Sequence, residues 1–92
     1  MTHIPIKEQQ VNYMDEYLSE VVRKVKEMLG EDVPVGSGDP LCSKLGLSSM
    51  QLARLAYELE ETFGIEIPDA AFKSDMTALD FAGIIQKEIG NE

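Results

Sequence analysis

Ser48 is followed three residues later by Gln51, and behind them Leu52, Leu55, Ala56, Leu59 and Phe63 recur at steps of three and four. A serine with glutamine at this spacing has the form of a capping box. The serine hydroxyl accepts from a first-turn backbone N–H, and the glutamine side chain reaches back to the N–H of the cap. The periodic run that follows is the apolar stripe of an amphipathic helix. Gly64 stops it, because glycine takes the left-handed conformation that closes helix ends, and Ile65 is then placed to fold back on Leu59. The spacing therefore predicts a helix in mid-chain whose first residue, Ser49, keeps its side chain free. A hydroxyl at that position faces the positive end of the helix dipole and unpaired backbone donors, which favours a phosphate ester over an apolar substituent.

The remaining segments read as further helices joined by loops. Leu18, Val21, Val22, Val25, Met28 and Leu29 form the stripe of a long first helix ended by Gly30. Ahead of it, residues 1–12 are polar, with one proline and no periodicity, and are read as a flexible N-terminal extension to a folded domain over 13–90. Between 31 and 47, Pro34, Gly36, Ser37, Gly38, Asp39 and Pro40 make a long loop, with Leu41 and Leu45 spaced to tuck beneath the helices. After Pro68, residues 69–72 read as a short third helix, with Asp69 as cap and Phe72 facing inward. Thr77 with Asp80 repeats the capping-box form, and Leu79, Ala82, Ile85 and Ile89 follow with helical period up to Gly90. The expected class is all-α, four helices with a long loop between helices 1 and 2.

Composition narrows the function. A chain of 92 residues with 43% apolar content supports one core. No stretch approaches eighteen consecutive apolar residues and the N-terminus has no signal-peptide block, so a cytoplasmic, monomeric protein without a membrane span is the expectation. Cys42 is the only cysteine, which rules out an intrachain disulfide; it is read as a small filler of the loop between Leu41 and Leu45, with a reactive thiol as the alternative. The net charge of −9 argues against nucleic acid as a partner. A catalytic role for Ser49 would need an adjacent base, yet the only histidine is His3 in the N-terminal tail and there is no Gly-x-Ser-x-Gly elbow. No catalytic residue and no metal site is expected.

Taken together, Leu45-Gly46-Leu47-Ser48-Ser49-Met50 and, at the fitting distance, Leu59-Glu60-Glu61-Thr62-Phe63-Gly64-Ile65-Glu66-Ile67-Pro68-Asp69 resemble the acyl carrier protein family over residues 18–89. The resemblance implies a small, right-turning four-helix bundle of acyl-carrier-protein type, with 13–90 as the carrier domain. It implies 4'-phosphopantetheine attached to Ser49 by a phosphopantetheinyl transferase, the hydroxyl attacking the pyrophosphate of coenzyme A. The arm's thiol would hold acyl groups as thioesters, presented to loading ligases and synthase enzymes. Ser48 stands where the family usually has aspartate, and Met50 where it has leucine. Serine caps a helix about as well as aspartate and methionine keeps apolar bulk, so the change is one lost negative charge beside the attachment point.

That lost charge belongs to a wider pattern. From Ser48 to Tyr57 there is no acid, and Arg54 adds a positive charge. Met50, Arg54 and Tyr57 are spaced by four and three residues, so they share one helix face. With Leu47 and Ser48 they form the expected partner-docking set, more apolar and less salt-sensitive than the acidic face usual in fatty-acid carriers. The alternative places Met50 and Tyr57 on the flank of the core stripe. Small residues Ala53, Ala56, Ala82 and Gly83 either leave room for a bound chain or only permit close helix approach. Fatty-acid or specialised polyketide service is expected, with an aminoacyl or peptidyl carrier of a nonribosomal peptide pathway, or an unmodified helical adaptor, as alternatives. Beginning at Met1 and ending soon after its last helix, the chain reads as free-standing.

Overall fold

The structure, a computed structural model, describes the backbone of residues 3–90 and the side chains of residues 13–90. In chain order it comprises α1 (His3–Leu29), α2 (Ser49–Phe63), a 3₁₀ turn (Asp69–Ala71) and α3 (Ala78–Gly90). The chain is all-helical, with no strand among the described residues.

Helical backbone begins well before the apolar stripe of α1, so residue 12 is not a break in secondary structure. Pro5 suits such a start, since it falls in the first turn, where backbone N–H groups have no intrahelical acceptor. The side chains of the expected extension lie outside those described. Tyr17, Val21 and Val25 form the buried line of α1 at four-residue steps, flanked by half-buried Leu18, Val22, Met28 and Leu29. Tyr17, one residue before the expected stripe, joins it. Its ring meets Phe63 of α2 edge-on, with centroids 5.4 Å apart. Gly30, at φ 121°, ends the helix in a conformation that side chains avoid.

Instead of a third helix, a single 3₁₀ turn follows Pro68. Ala71 N–H donates to Pro68 O at 2.9 Å and Phe72 N–H to Asp69 O at 3.1 Å, after which Phe72 is extended at ψ 136°. Extension of Phe72 turns its ring edge-on to Phe81 of α3, centroids 6.2 Å apart. Burying that ring competes with continuing the turn, and four residues cannot form a stable helix alone. Asp69 is the first residue of the turn and makes no side-chain cap.

The Thr77–Asp80 capping box forms as expected, with Thr77 N–H donating to Asp80 Oδ2 and Asp80 N–H to Thr77 Oγ1, both at 3.0 Å. The inward stripe of α3 differs from the one expected. Ala78, Phe81, Ala82 and Ile85 are buried, whereas Leu79 is 47% exposed. Phe81 is the larger group, and turning it inward rotates Leu79 toward solvent.

α1 packs most extensively on α3 and less on α2. Val21, Val25, Leu55, Leu59, Phe81 and Ile85 fill the interior with no solvent exposure, joined by Leu41 from the long loop and Met76 from the segment before α3. Each such side chain contributes about 1.5–3 kcal/mol on burial. The long loop is thus part of the core.

Candidate functional site

α2 begins where the capping box places it. Ser48 is extended (φ −77°, ψ 165°), its Oγ accepts from Gln51 N–H at 3.1 Å, and its own N–H donates to Gln51 Oε1 at 2.9 Å. A helix start leaves four N–H groups without intrahelical acceptors. Here these belong to Ser48, Ser49, Met50 and Gln51, and the box satisfies the first and last. Among the described residues, no hydrogen bond engages the N–H of Ser49 or Met50, or the Ser49 hydroxyl. Ser49 is exposed. A free hydroxyl beside two free N–H donors at the electropositive helix end fits a phosphodiester substituent, so the residues present suit the phosphopantetheine group that the resemblance implies.

What precedes Ser48 is a short, tightly bonded turn. Lys44 and Leu45 N–H donate to Pro40 O at 3.1 and 3.2 Å, Gly46 N–H to Cys42 O at 3.1 Å, and Leu47 N–H to Leu41 O at 3.0 Å. Gly46 sits at φ 87°, and a Cβ there would meet nothing, so its constraint is conformation rather than space. Leu47 is 3% exposed. The reversal at Gly46 directs this residue of the expected docking set into the core, beneath the start of α2.

The other expected docking residues are at the surface. Met50 is 82% and Tyr57 60% exposed, and Arg54 and Ser48 are exposed. At about 100° per residue, Met50 and Tyr57 lie within about 20° of each other on the exposed side of α2. They are therefore not flanks of the core stripe. Arg54 Nε donates to Glu58 Oε2 at 3.1 Å. Of the small residues, Ala56 and Ala82 are buried, Gly83 is half-buried and Ala53 is exposed, so Ala53 does not line the space between the helices.

Two carboxylates that the sequence reading did not single out shape the site's surroundings. Glu60 organises the exit of α2. Its carbonyl accepts Gly64 N–H at 2.8 Å and Ile65 N–H at 3.2 Å, while its Oε2 accepts Ile67 N–H at 2.7 Å. Gly64, at φ 66° and ψ 39°, adopts the left-handed conformation expected of it. Asp75 holds the turn before Ser48, its Oδ1 accepting Cys42 N–H at 2.9 Å and its Oδ2 accepting Ser43 N–H at 3.0 Å. The Ser43 hydroxyl, then the Cys42 N–H, hold the Asp75 carboxyl below the usual aspartate range. Burial, then the Asp75 charge, push the Cys42 thiol up.

Among the described residues, no cluster of metal-ligating side chains occurs and no helix is long and apolar enough to cross a membrane. The phosphopantetheine attachment site family matches residues 19–89. The chain is 35% identical over 75 residues to an acyl carrier protein of Sinorhizobium fredii, covering 76% of this chain and 96% of that one. An acyl carrier protein of Rhizobium meliloti matches to the same extent. One of Thermotoga maritima is 29% identical over 76 residues, covering 77% of this chain and 94% of its own. No solved structure matches the chain significantly. With the attachment-site family spanning most of its length and acyl carrier proteins aligned across three quarters of it, the chain belongs to the acyl carrier protein family, as a carrier with covalently bound 4'-phosphopantetheine and not an enzyme.

Proposed function

We propose that Ser49 is the residue that bears the arm, and that the chain presents acyl intermediates to synthase enzymes of fatty-acid or specialised polyketide biosynthesis. The observation that carries the assignment is the division of labour between adjacent serines. Ser48 Oγ is committed to Gln51 N–H, whereas Ser49 Oγ is exposed and unbonded. When bound, the arm supplies a thiol that holds an acyl group as a thioester. The protein's own residues do the rest. Ser48 and Gln51 set the helix start, the Ser49 and Met50 N–H groups offer donors to the ester phosphate, and the bundle holds the attachment point rigidly. No described side chain accepts the Ser49 proton, so its removal falls to the transferase.

The partner face is read as Met50, Arg54 and Tyr57, with Ser48 at its edge. Its support is the exposure of two large apolar side chains near Ser49 and the absence of acid between Ser48 and Tyr57, the first carboxylate being Glu58, which pairs with Arg54. Such a face suits partners that dock through apolar contact, with the outer edge of the Arg54 guanidinium open to a partner carboxylate. The turn Asp69–Ala71 is read as the counterpart of the family's short third helix, on the support of Pro68 before it and the inward Phe72 after it.

The test is direct. The purified protein, its Ser49→Ala variant and its Ser48→Ala variant are incubated with coenzyme A and a promiscuous phosphopantetheinyl transferase, and intact masses are measured. Wild type and Ser48→Ala gain one phosphopantetheinyl group and Ser49→Ala gains none. A folded wild-type protein that gains no mass, or a Ser49→Ala variant that gains the group, overturns the assignment.

A further inference from the structure

The turn that leads into the site is capped by a distant segment. Residues 40–46 run as one helical turn, in which Lys44 and Leu45 N–H reach back to Pro40 O and Gly46 N–H to Cys42 O. Like any helical start, it leaves its first N–H groups, those of Leu41, Cys42 and Ser43, without acceptors inside the turn. All three are satisfied from residues 75 and 76. Leu41 N–H donates to Met76 O at 2.8 Å, Cys42 N–H to Asp75 Oδ1 at 2.9 Å and Ser43 N–H to Asp75 Oδ2 at 3.0 Å. A single carboxylate thus serves as the cap of a turn more than thirty residues away, using both oxygens. Charge-assisted bonds of this kind are about twice as strong as neutral ones.

The turn in turn carries the approach to α2. Leu41 O accepts Leu47 N–H at 3.0 Å, and both leucines are buried, so the residue immediately before the Ser48 cap is fixed to the element that Asp75 holds. Position passes from the carboxylate to the turn, from the turn to Leu47, and from Leu47 to the start of the helix bearing Ser49.

We propose that Asp75 is a positioning residue for arm attachment: by capping the turn 40–46 it fixes the placement of the Ser49 hydroxyl that a phosphopantetheinyl transferase must engage. This rests on the reading that Ser49 is the modified residue. Asp75 touches neither the transferase nor coenzyme A in this scheme. It limits the conformations of the substrate loop, so its loss weakens productive engagement without altering the chemistry at Ser49.

The experiment compares wild type with Asp75→Asn and Ser43→Ala, using apo-protein, coenzyme A and a promiscuous transferase. Asparagine keeps the shape but leaves one oxygen acceptor and no charge. Ser43→Ala removes the hydroxyl that helps lower the Asp75 carboxyl, while leaving the backbone N–H that donates to Asp75 Oδ2. For Asp75→Asn, KM for the apo-protein rises about fivefold to tenfold with kcat within about twofold, the pattern of lost positioning rather than lost chemistry. The amides of Cys42 and Ser43 exchange hydrogen at least about tenfold faster, while those of Leu55 and Leu59 are unchanged. Ser43→Ala shifts both readouts in the same direction by less, and the double variant is non-additive. Unchanged KM in a folded Asp75→Asn protein overturns the proposal. So does faster exchange spread evenly over the core, which marks a global structural role. Should Asp75→Asn lose its helical circular dichroism, Ser43→Ala decides alone: wild-type KM and unchanged loop exchange overturn the proposal, and a raised KM with selectively faster loop exchange upholds it. Failure of the wild type itself to gain the arm is a different result, and counts against Ser49 rather than Asp75.

Discussion

Asp75 and Cys42, 33 positions apart in the chain, are joined by a 2.9 Å hydrogen bond from the Cys42 N–H to the Asp75 carboxylate. Burial first, and then the charge of this same carboxylate, push the Cys42 thiol up and lower its thiolate fraction. A protein whose cargo hangs from a thiol ester benefits from having its own cysteine inert. In native protein at neutral pH, alkylation of Cys42 by iodoacetamide is expected to be slow, and severalfold faster in Asp75→Asn. In denaturant the two proteins react alike. Equal native rates contradict this account.

The capping box is separable from the chemistry beside it. Ser48→Ala removes the acceptor for Gln51 N–H and is expected to cost about 1 kcal/mol. In a domain of this size that lowers the melting temperature by roughly 4–8 °C. Ser49→Ala, at an exposed position with no bonds to lose, shifts stability by less than about 0.5 kcal/mol and abolishes modification. Thermal melts followed by circular dichroism check both, and a destabilised Ser49→Ala contradicts the unbonded hydroxyl.

Leu41 belongs to the core although it lies in a loop. Leu41→Ala empties a fully buried site and is expected to cost about 2–5 kcal/mol, as a helix-borne core leucine would. Urea unfolding measures it. A cost below about 1 kcal/mol would show that the loop packs only loosely.

Acid acts on the loop through its carboxylates. Asp75 is held below its ordinary value of 3.8 by the Ser43 hydroxyl and the Cys42 N–H, and Asp39 by Lys44 and the Gly36 N–H. A lowered folded-state pKa means that the unfolded chain takes up the proton first. The stability these groups contribute is therefore complete above 3.8 and is lost as pH falls from there through the folded values. Relief of the −9 net charge acts in the opposite direction on the way down from neutral pH. The melting temperature is expected to hold or rise from pH 7 to 5 and to fall below 3.8. A steep fall already between pH 7 and 5 excludes this assignment.

For the partner face, Met50→Ala and Tyr57→Ala are expected to leave the melting temperature within about 1 °C, because neither side chain is buried. Turnover by a cognate synthase falls severalfold, chiefly through KM. Its dependence on sodium chloride is shallow, since apolar contact rather than charge steers the encounter. Unchanged turnover in both variants removes the docking role.

What was legible in the sequence was what is local. Ser48 and Gln51 stand one helical turn apart, so their mutual capping and the start of α2 follow from spacing alone. Gly64 and the Thr77–Asp80 pair are equally local signals. The inward face of α3 was less legible, because Ala78, Leu79, Phe81 and Ala82 are all apolar and periodicity does not say which pair turns inward; the volume of Phe81 decides it. The segment 69–72 carries helix-forming residues, but burial of Phe72 against Phe81 stops it after one turn. Leu47 lies two residues before Ser49, yet the backbone reversal at Gly46 sends it inward. Asp75 gave no signal at all, since its partners lie in another part of the chain and nothing in its neighbours announces them.

Because the cap at position 48 needs only an oxygen acceptor toward Gln51, its identity is free to vary without cost to the fold. Serine adds no charge beside Ser49, whereas aspartate in the same geometry would add a full negative charge there. On the proposed reading of Ser49 as the arm-bearing residue, one exposed side chain sets the charge that a partner meets there while the architecture beneath it stays constant.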